Sequence, residues 1–248
     1  MTKVLANFDQ RGKLMNLQRL SIAMAVCFLS ITASQASIIG HSGSSDPASQ
    51  GFAADGELGN GSGVDDNGTA AWRIDTGPAA QELMYNYALT NQQIADANTN
   101  GYHLRTKVRI DSANKSLDSD VMGLWAQVGD NWWLVRFTTD GDKNPTVHVH
   151  NNSDSHAVSG DGYHLYELRV DPGGSSADLF VDGSEALSGL NSADNPGSVL
   201  RFGDGSGSAT GTISYYNQVQ MQIVPEPTAI TLLLLGLGSL VTLRRRHA

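Results

Sequence analysis

The acidic and nucleophilic side chains that could perform hydrolysis do not form a recognisable catalytic set in this sequence. The chain has five glutamates, namely Glu57, Glu82, Glu167, Glu185 and Glu226. Glu167 stands in an alternating segment that predicts a strand, but no Glu-x-Asp-x-x-Glu string places further carboxylates on the same strand face. The strings G-x-S-x-G and H-E-x-x-H, which mark serine and zinc hydrolases, do not occur. The sequence therefore predicts a protein that is not an enzyme.

Metal-ligating side chains occur in small groups. His148 and His150 are two residues apart on a predicted strand and share a face, as a metal pair would, but a polar outer sheet face is the preferred interpretation. The loops 139–144 and 204–207 carry carboxylates beside glycine turns, which suits calcium but is also ordinary β-turn chemistry. The sequence therefore predicts no cofactor, leaves structural calcium open and identifies no metal ligand.

Aromatic side chains are the best candidates for contacting a ligand, because an indole or phenol ring can stack on the face of a sugar. The candidates are Trp125, Trp132, Trp133, Tyr215 and Tyr216. Alternation places Trp132 and Trp133 on opposite faces of one strand, so one of them must point away from the core. The alternative role for each of these rings is core packing, since the chain has only four tryptophans.

The elements that would position these side chains are short strands. Residues 102–111 alternate strictly, with Leu104 and Val108 on one face and basic residues on the other. Residues 121–128 and 132–138 read as two strands joined by a turn at 129–131. About ten to thirteen such strands, with no convincing helix outside the two ends, predict an all-β, two-sheet antiparallel jelly-roll sandwich.

Several features of this body resemble the concanavalin A-like lectin and glucanase superfamily, including laminin-G-like domains. They are the hairpin YELRVDPGGSSADLFVDG, a following strand that ends in Phe-Gly-Asp-Gly, and a closing strand. The resemblance covers about residues 52–223 and implies a jelly roll whose final strand lies beside the first. Its laminarinase-type enzymes carry Glu-x-Asp-x-x-Glu with carboxylates about 5 Å apart, and this chain lacks that string.

The N-terminal residues 1–36 have the pattern of a signal peptide. An apolar run from Leu20 to Ile31 follows basic residues and precedes the small-x-small site Ser34-Gln35-Ala36. Met15 is an alternative start that would give a leader of ordinary length, and Cys27, the only cysteine, lies inside the run. The predicted body, 37–223, then has 9 basic and 23 acidic residues and no disulfide, a balance that excludes nucleic acid as a partner.

The C-terminal residues 224–248 combine three features in a fixed order. Pro225, Glu226 and Pro227 form an extended, accessible step. The uncharged run Thr228 to Leu243 would span about 24 Å as a helix, close to the hydrocarbon core of about 30 Å. A basic cluster favours the cytoplasmic side and consists of Arg244, Arg245 and Arg246. The sequence therefore predicts a C-terminal transmembrane helix with the body outside.

This arrangement resembles the PEP-CTERM sorting signal of exported bacterial proteins. The resemblance implies that a membrane-embedded exosortase-type enzyme processes the chain near Pro225-Glu226-Pro227. The precursor would lie in the inner membrane, and the product would reach the cell envelope or an extracellular matrix. An ordinary C-terminal anchor that is never cut is the alternative.

The combined interpretation is a non-enzymatic, exported surface or matrix protein that binds polysaccharide. Two other functions stay open at this stage. One is a carbohydrate-active enzyme, similar to a glycoside hydrolase, with a non-standard acid pair. The other is a purely structural surface protein without a ligand.

Overall fold

Fourteen strands in two sheets account for most of the residues that the computed structural model describes, which are 38–56, 60–77, 82–112, 123–140, 142–205 and 212–225. The two antiparallel sheets form a sandwich, which confirms the predicted all-β fold class. One sheet has eight strands, in the order β12-β11-β10-β6-β14-β4-β3 with β1 also paired to β14. The other has six, in the order β2-β5-β13-β7-β8-β9.

The strands of the eight-stranded sheet are β1 (Ile38–Ser42), β3 (Gly61–Asp66), β4 (Thr69–Asp75), β6 (Tyr102–Ser112), β10 (His164–Val170), β11 (Ser176–Val181), β12 (Ser184–Asn191) and β14 (Ile213–Ile223). Those of the six-stranded sheet are β2 (Ala53–Gly56), β5 (Leu83–Ala88), β7 (Gly123–Thr139), β8 (Pro145–Val149), β9 (Ser155–Ala157) and β13 (Ala193–Asp204). A 3-10 helix (Pro47–Gln50) follows β1, and an α-helix, α1 (Asn91–Asn100), connects β5 to β6.

Strand β14 organises the eight-stranded sheet. It pairs with β6 along one side, and with β4 and β1 in succession along the other. The pairing of β1 with β14 confirms the expectation that the final strand lies beside the first. Along β6 every second residue is buried from Tyr102 to Ile110, which is the alternation that the sequence predicts for a strand with one face in the core.

The core between the sheets contains an aromatic cluster centred on Phe202. Its ring lies 5.0–5.4 Å, centroid to centroid, from four other rings, those of His41, Phe52, Tyr85 and Tyr216. His41 is only 1% exposed, and this burial lowers the pKa of its imidazole. Residues from both sheets meet in this cluster, so it fixes the relative position of the two layers.

The buried carboxylate of Asp204 also joins the two sheets. It lies at the end of β13 and accepts hydrogen bonds from the hydroxyl groups of Thr76 and Thr212, the latter at 2.7 Å. Thr76 follows β4 and Thr212 precedes β14 in the opposite sheet. The sequence leaves calcium open at the loop that begins with Asp204, and in the structure these threonine hydroxyls are partners of its carboxylate.

Two predictions about individual elements were wrong. The segment Asn91–Asn100 forms a ten-residue α-helix, although no convincing helix was expected between the two ends of the chain, because Thr90 and Gln93 make a capping box at its start and Ala97 is buried against the sandwich. Residues 123–139 form one long strand instead of two strands joined by a turn. The first part of β7 pairs with β13 as far as Trp132 and the second part pairs with β8, so the Gly129-Asp130-Asn131 segment does not close a hairpin.

The predicted signal peptide and C-terminal transmembrane helix lie outside the described residues. Residues 1–37 and 226–248 carry those predictions. Within the part of the chain that the structure describes, no helix is both long enough and apolar enough to cross a membrane.

Candidate functional site

A groove of about 310 Å³ opens on the outer face of the six-stranded sheet. Side chains from β2, β5, β7 and β13 form its floor and walls. Its lining consists of Asp55, Glu82, Met84, Trp125, Gln127, Trp132, Leu134, Asn195, Arg201 and Gly205. Two of the five predicted stacking residues, Trp125 and Trp132, therefore line the same depression.

The first half of β7 directs Trp125 and Gln127 outward. Leu124, Ala126 and Val128 are buried in the core, so the residues between them must project from the opposite face. Strand β13 shows the same alternation, with Leu200 and Phe202 buried. Because Trp125 lies directly opposite Arg201 in the ladder, the two side chains are neighbours on the groove floor.

An irregularity in β7 brings the second tryptophan to the same face. Strict alternation from Val128 would point Trp132 into the core and Trp133 out of it. The alternation breaks at Gly129, which has a φ of +65°, and here the register against β13 also shifts. Beyond this point Trp133 is buried and Trp132 lines the groove, so the break places Trp125 and Trp132 together.

Two N–H groups in the groove lack hydrogen-bond partners among the described residues. They are Nε of Arg201 and Nε1 of Trp132, both of which are shielded from solvent. The guanidinium of Arg201 lies 5.8 Å from the ring centroid of Trp125, and the ring of Trp132 packs 4.6 Å from that of His150. Buried donors of this kind are costly unless an acceptor meets them.

Acidic and amide side chains supply the remaining polar groups of the groove. Asp55 from β2 and Glu82, immediately before β5, are exposed, whereas Gln127 and Asn195 are half-buried. Carboxylate and amide oxygens accept hydrogen bonds from hydroxyl groups, and the amide nitrogens donate them. The arrangement can therefore bind a ligand that has both a flat apolar face and many hydroxyls.

The outer face of the eight-stranded sheet is different, because its charged groups pair with one another. Glu167 meets Nε of Arg105 at 2.6 Å and also pairs with Arg169. Asp66 accepts two hydrogen bonds from Arg109, at 2.7 and 2.9 Å. These bonds lower the pKa of the Asp66 carboxyl, against the effect of partial burial.

Three of the predicted stacking residues are not available for a ligand. Trp133 is 0% exposed, and its Nε1 donates to the carbonyl of Gly174 at 2.9 Å. Tyr216 is also 0% exposed and belongs to the Phe202 cluster. Tyr215 faces outward on β14, but the guanidinium of Arg109 covers its ring at 4.0 Å. Core packing and a cation–π contact, respectively, account for these aromatic rings.

Side chains of the predicted histidine pair and of the loop 139–144 make hydrogen bonds within the protein. Nε2 of His148 lies 3.2 Å from Oγ1 of Thr138, and partial burial, together with the nearby Arg136, lowers the pKa of His148. Asp140 accepts hydrogen bonds from the backbone N–H groups of Asp142 and Asn144, both at 2.9 Å. Across the described ranges, no three His, Cys, Asp or Glu residues are grouped so as to hold a metal.

Sequence reasoning missed most of the groove's polar residues. Arg201 alternates with the apolar residues Leu200 and Phe202, so its outward direction could have been predicted from the sequence. Asp55 and Glu82 gave no such signal. They are 27 residues apart in sequence and line the same groove because β2 pairs with β5.

Comparison with known protein families gives a match at the C-terminus. Residues 224–246 match the model of the PEP-CTERM protein-sorting motif. The match includes Pro225, Glu226 and Pro227 as well as the basic residues Arg244, Arg245 and Arg246. Such a motif implies an exported protein that an exosortase processes. No curated protein sequence matches the chain.

Comparison with solved structures supports the fold of the body. A structure of the carbohydrate esterase vb_24B_21 from the Shiga toxin-encoding bacteriophage phi24B is similar, with a TM-score of 0.55 and 15% identity over 77% of this chain and 100% of that one. Domain 4 of AbnA, an extracellular arabinanase from Geobacillus stearothermophilus solved with arabinotriose, gives a TM-score of 0.47 and 14% identity over 77% and 94% of the two chains. At these identities the first match shows the fold alone, and the second is too distant to carry an argument. The chain thus carries a PEP-CTERM sorting motif at the C-terminus of a β-sandwich body.

Proposed function

We propose that this protein is an exported, non-enzymatic polysaccharide-binding protein that its C-terminal motif delivers to the cell envelope or extracellular matrix. The observation that supports binding is the groove in which Trp125 and Trp132 share one face with partnerless N–H donors. A sugar ring has two apolar faces for stacking and an equatorial rim of hydroxyls, which matches aromatic platforms surrounded by amides and carboxylates.

Binding is tested with the full chain, purified in detergent, by affinity electrophoresis through gels that contain neutral or acidic polysaccharides. We expect retardation by at least one polymer and loss of that retardation in the Trp125→Ala variant. Tyr215→Ala, on the opposite outer face, is the matched control and should migrate like the unmodified protein. Unretarded migration in every polymer of a broad panel would contradict the proposal.

Delivery by the C-terminal motif needs a separate test. Replacement of Pro225, Glu226 and Pro227 by alanine should leave full-length protein in the membrane fraction, because the processing enzyme would no longer recognise the motif. Immunoblots against the body in membrane, envelope and medium fractions report the result. Unchanged processing of this variant would reject the sorting function and leave the binding function untouched.

A glycoside hydrolase with an unusual acid pair is the second candidate, because Asp55 and Glu82 line the same groove. Catalysis of this kind needs two carboxyl groups, one of which must stay protonated to act as an acid. Both residues are exposed, whereas a general acid is usually sheltered from water, and this favours binding over catalysis. Release of reducing sugar from a retained polymer, abolished in Glu82→Gln, would establish the enzyme instead.

A further inference from the structure

Arg201 lacks the acidic partner that most cationic side chains of the described residues have. Arg105, Arg109 and Lys143 each meet a carboxylate within 2.7 Å. Among the described residues Arg201 has no carboxylate within ion-pair distance, and its guanidinium lies 5.8 Å from the ring centroid of Trp125. The predicted body has 23 acidic residues against 9 basic ones, so this lack of an acidic partner is not caused by a shortage of acids.

The hydrogen-bonding groups of the groove floor restrict the ligand further. Nε of Arg201 and Nε1 of Trp132 are donors with no acceptor function, and neither has a partner among the described residues. A ligand that presents acceptor atoms therefore suits this lining better than one that presents only donors. The guanidinium group carries a positive charge and offers parallel N–H groups, a geometry that suits a carboxylate in particular.

We infer that the groove binds an acidic polysaccharide and that Arg201 receives the carboxylate of a uronic acid residue stacked near Trp125. This inference rests on the proposed polysaccharide-binding function and names the class of polymer. Asp55 and Glu82 also line the groove and would repel a second carboxylate. The chain that fits is therefore a heteropolysaccharide, with the uronate at Arg201 and neutral sugars beside the two acids.

The net negative charge of the body means that long-range attraction cannot contribute to binding of an acidic polysaccharide. A strongly acidic body does not attract a polyanion from a distance, so affinity must come from the contacts in the groove. Binding should consequently depend on the uronate at one subsite.

The test uses oligosaccharides of gellan, whose repeat carries one glucuronate among neutral sugars, and the same oligosaccharides after chemical reduction of the carboxyl group. Calorimetric titration of the full chain in detergent measures both affinities. We expect reduction to weaken binding about ten- to hundredfold, since a charge-assisted hydrogen bond is lost. Polygalacturonate, which carries a carboxylate on every sugar, should bind more weakly than gellan.

Variants separate this inference from the proposed function. The Arg201→Gln variant should bind native and reduced oligosaccharides with the same low affinity. The Arg201→Lys variant should recover only part of the difference in affinity between them, because lysine keeps the charge but lacks the planar guanidinium group. Arg169→Gln, on the opposite outer face, is the matched control and should retain the native preference. Unfolding temperatures of all variants show whether each one is folded.

Each of three contrary results would overturn a different claim. Equal affinity for native and reduced oligosaccharides would overturn the uronate inference while supporting polysaccharide binding. An Arg201→Gln variant that keeps the preference would overturn the role of this residue. Failure of the unmodified protein to bind any acidic or neutral polymer would overturn the proposed function as well.

Discussion

On the outer face of the eight-stranded sheet the charged side chains meet opposite charges, whereas on the outer face of the six-stranded sheet two tryptophans and an arginine line an open groove. Glu167 is held by Arg105 and Arg169, and Arg109 is held by Asp66. Trp125 and Trp132, by contrast, share the groove with donors that no described residue satisfies. Both faces are built from alternating strands in the same domain.

The difference indicates that one face stabilises the fold and the other binds a ligand. A face whose hydrogen-bonding groups are satisfied internally has little left to offer a ligand, even when it is rich in charge. A face with unsatisfied donors has a lower free energy when a ligand supplies the missing acceptors. Substitutions on the paired face should therefore change stability, and substitutions in the groove should change binding.

The largest expected effect is on binding. Replacing both Trp125 and Trp132 by alanine should weaken polysaccharide binding by more than about a hundredfold, since burial of each ring against a sugar contributes about 1.5–3 kcal/mol. The free energy of unfolding should change little, because both rings lie outside the core cluster. Titration calorimetry and chemical denaturation measure the two quantities, and Tyr215→Ala is the control. A double variant that still binds would remove the distinction between the faces.

An intermediate effect is expected on stability. Glu167→Gln leaves Arg105 and Arg169 without their carboxylate partner on the paired face. The free energy of unfolding should fall by about 1–2 kcal/mol, less than for a fully buried pair, because both arginines are partly exposed. Urea denaturation reports the loss, and polysaccharide affinity should stay unchanged. A fall in affinity instead would mean that the two faces are coupled.

The smallest expected effect is a difference in pH dependence between the faces. Partial burial and Arg136 lower the pKa of His148 in the folded protein, so the unfolded state binds more protons once the pH falls below about 6.5 and stability declines there. Asp66 has a pKa lowered mainly by Arg109, so its contribution is present above about pH 3.9 and disappears as the pH falls through the lowered value.

Stability curves of two variants distinguish these windows. His148→Gln should reduce the loss that begins near pH 6.5, leaving the parts that come from His41 and His103, whose pKa values burial also lowers. Asp66→Asn should reduce only the loss at lower pH. If both variants changed the same window, the assignment of the two windows to these two residues would be wrong.

The alternation of apolar residues predicted most of this architecture but not its irregular points. Strand β6 follows the predicted pattern from Tyr102 to Ile110 because its burial is decided by local alternation. The break at Gly129 depends on how β7 pairs with β13, which is a long-range interaction that a turn-like Gly-Asp-Asn sequence conceals. Helix α1 was missed because its residues are mostly polar, although Thr90 and Gln93 carried the signal of a capping box.

The same distinction applies to the candidate site. Trp125 and Trp132 could be proposed from residue type, whereas the selection of Trp132 over Trp133 required the position of the break in β7. The approach of Asp55 and Glu82 required the pairing of β2 with β5. Residue chemistry thus predicts which side chains suit a ligand, and the strand register determines which of them meet.

Intrinsic tryptophan fluorescence tests the central claim most directly, because the four tryptophans divide between the core and the groove. Trp72 and Trp133 are buried in the core, and Trp125 and Trp132 line the groove. Addition of a bound polysaccharide should change the emission of the unmodified protein and leave that of the Trp125→Phe, Trp132→Phe double variant unchanged. A ligand-induced change that persists in the double variant would show that the polysaccharide binds elsewhere and would contradict the account.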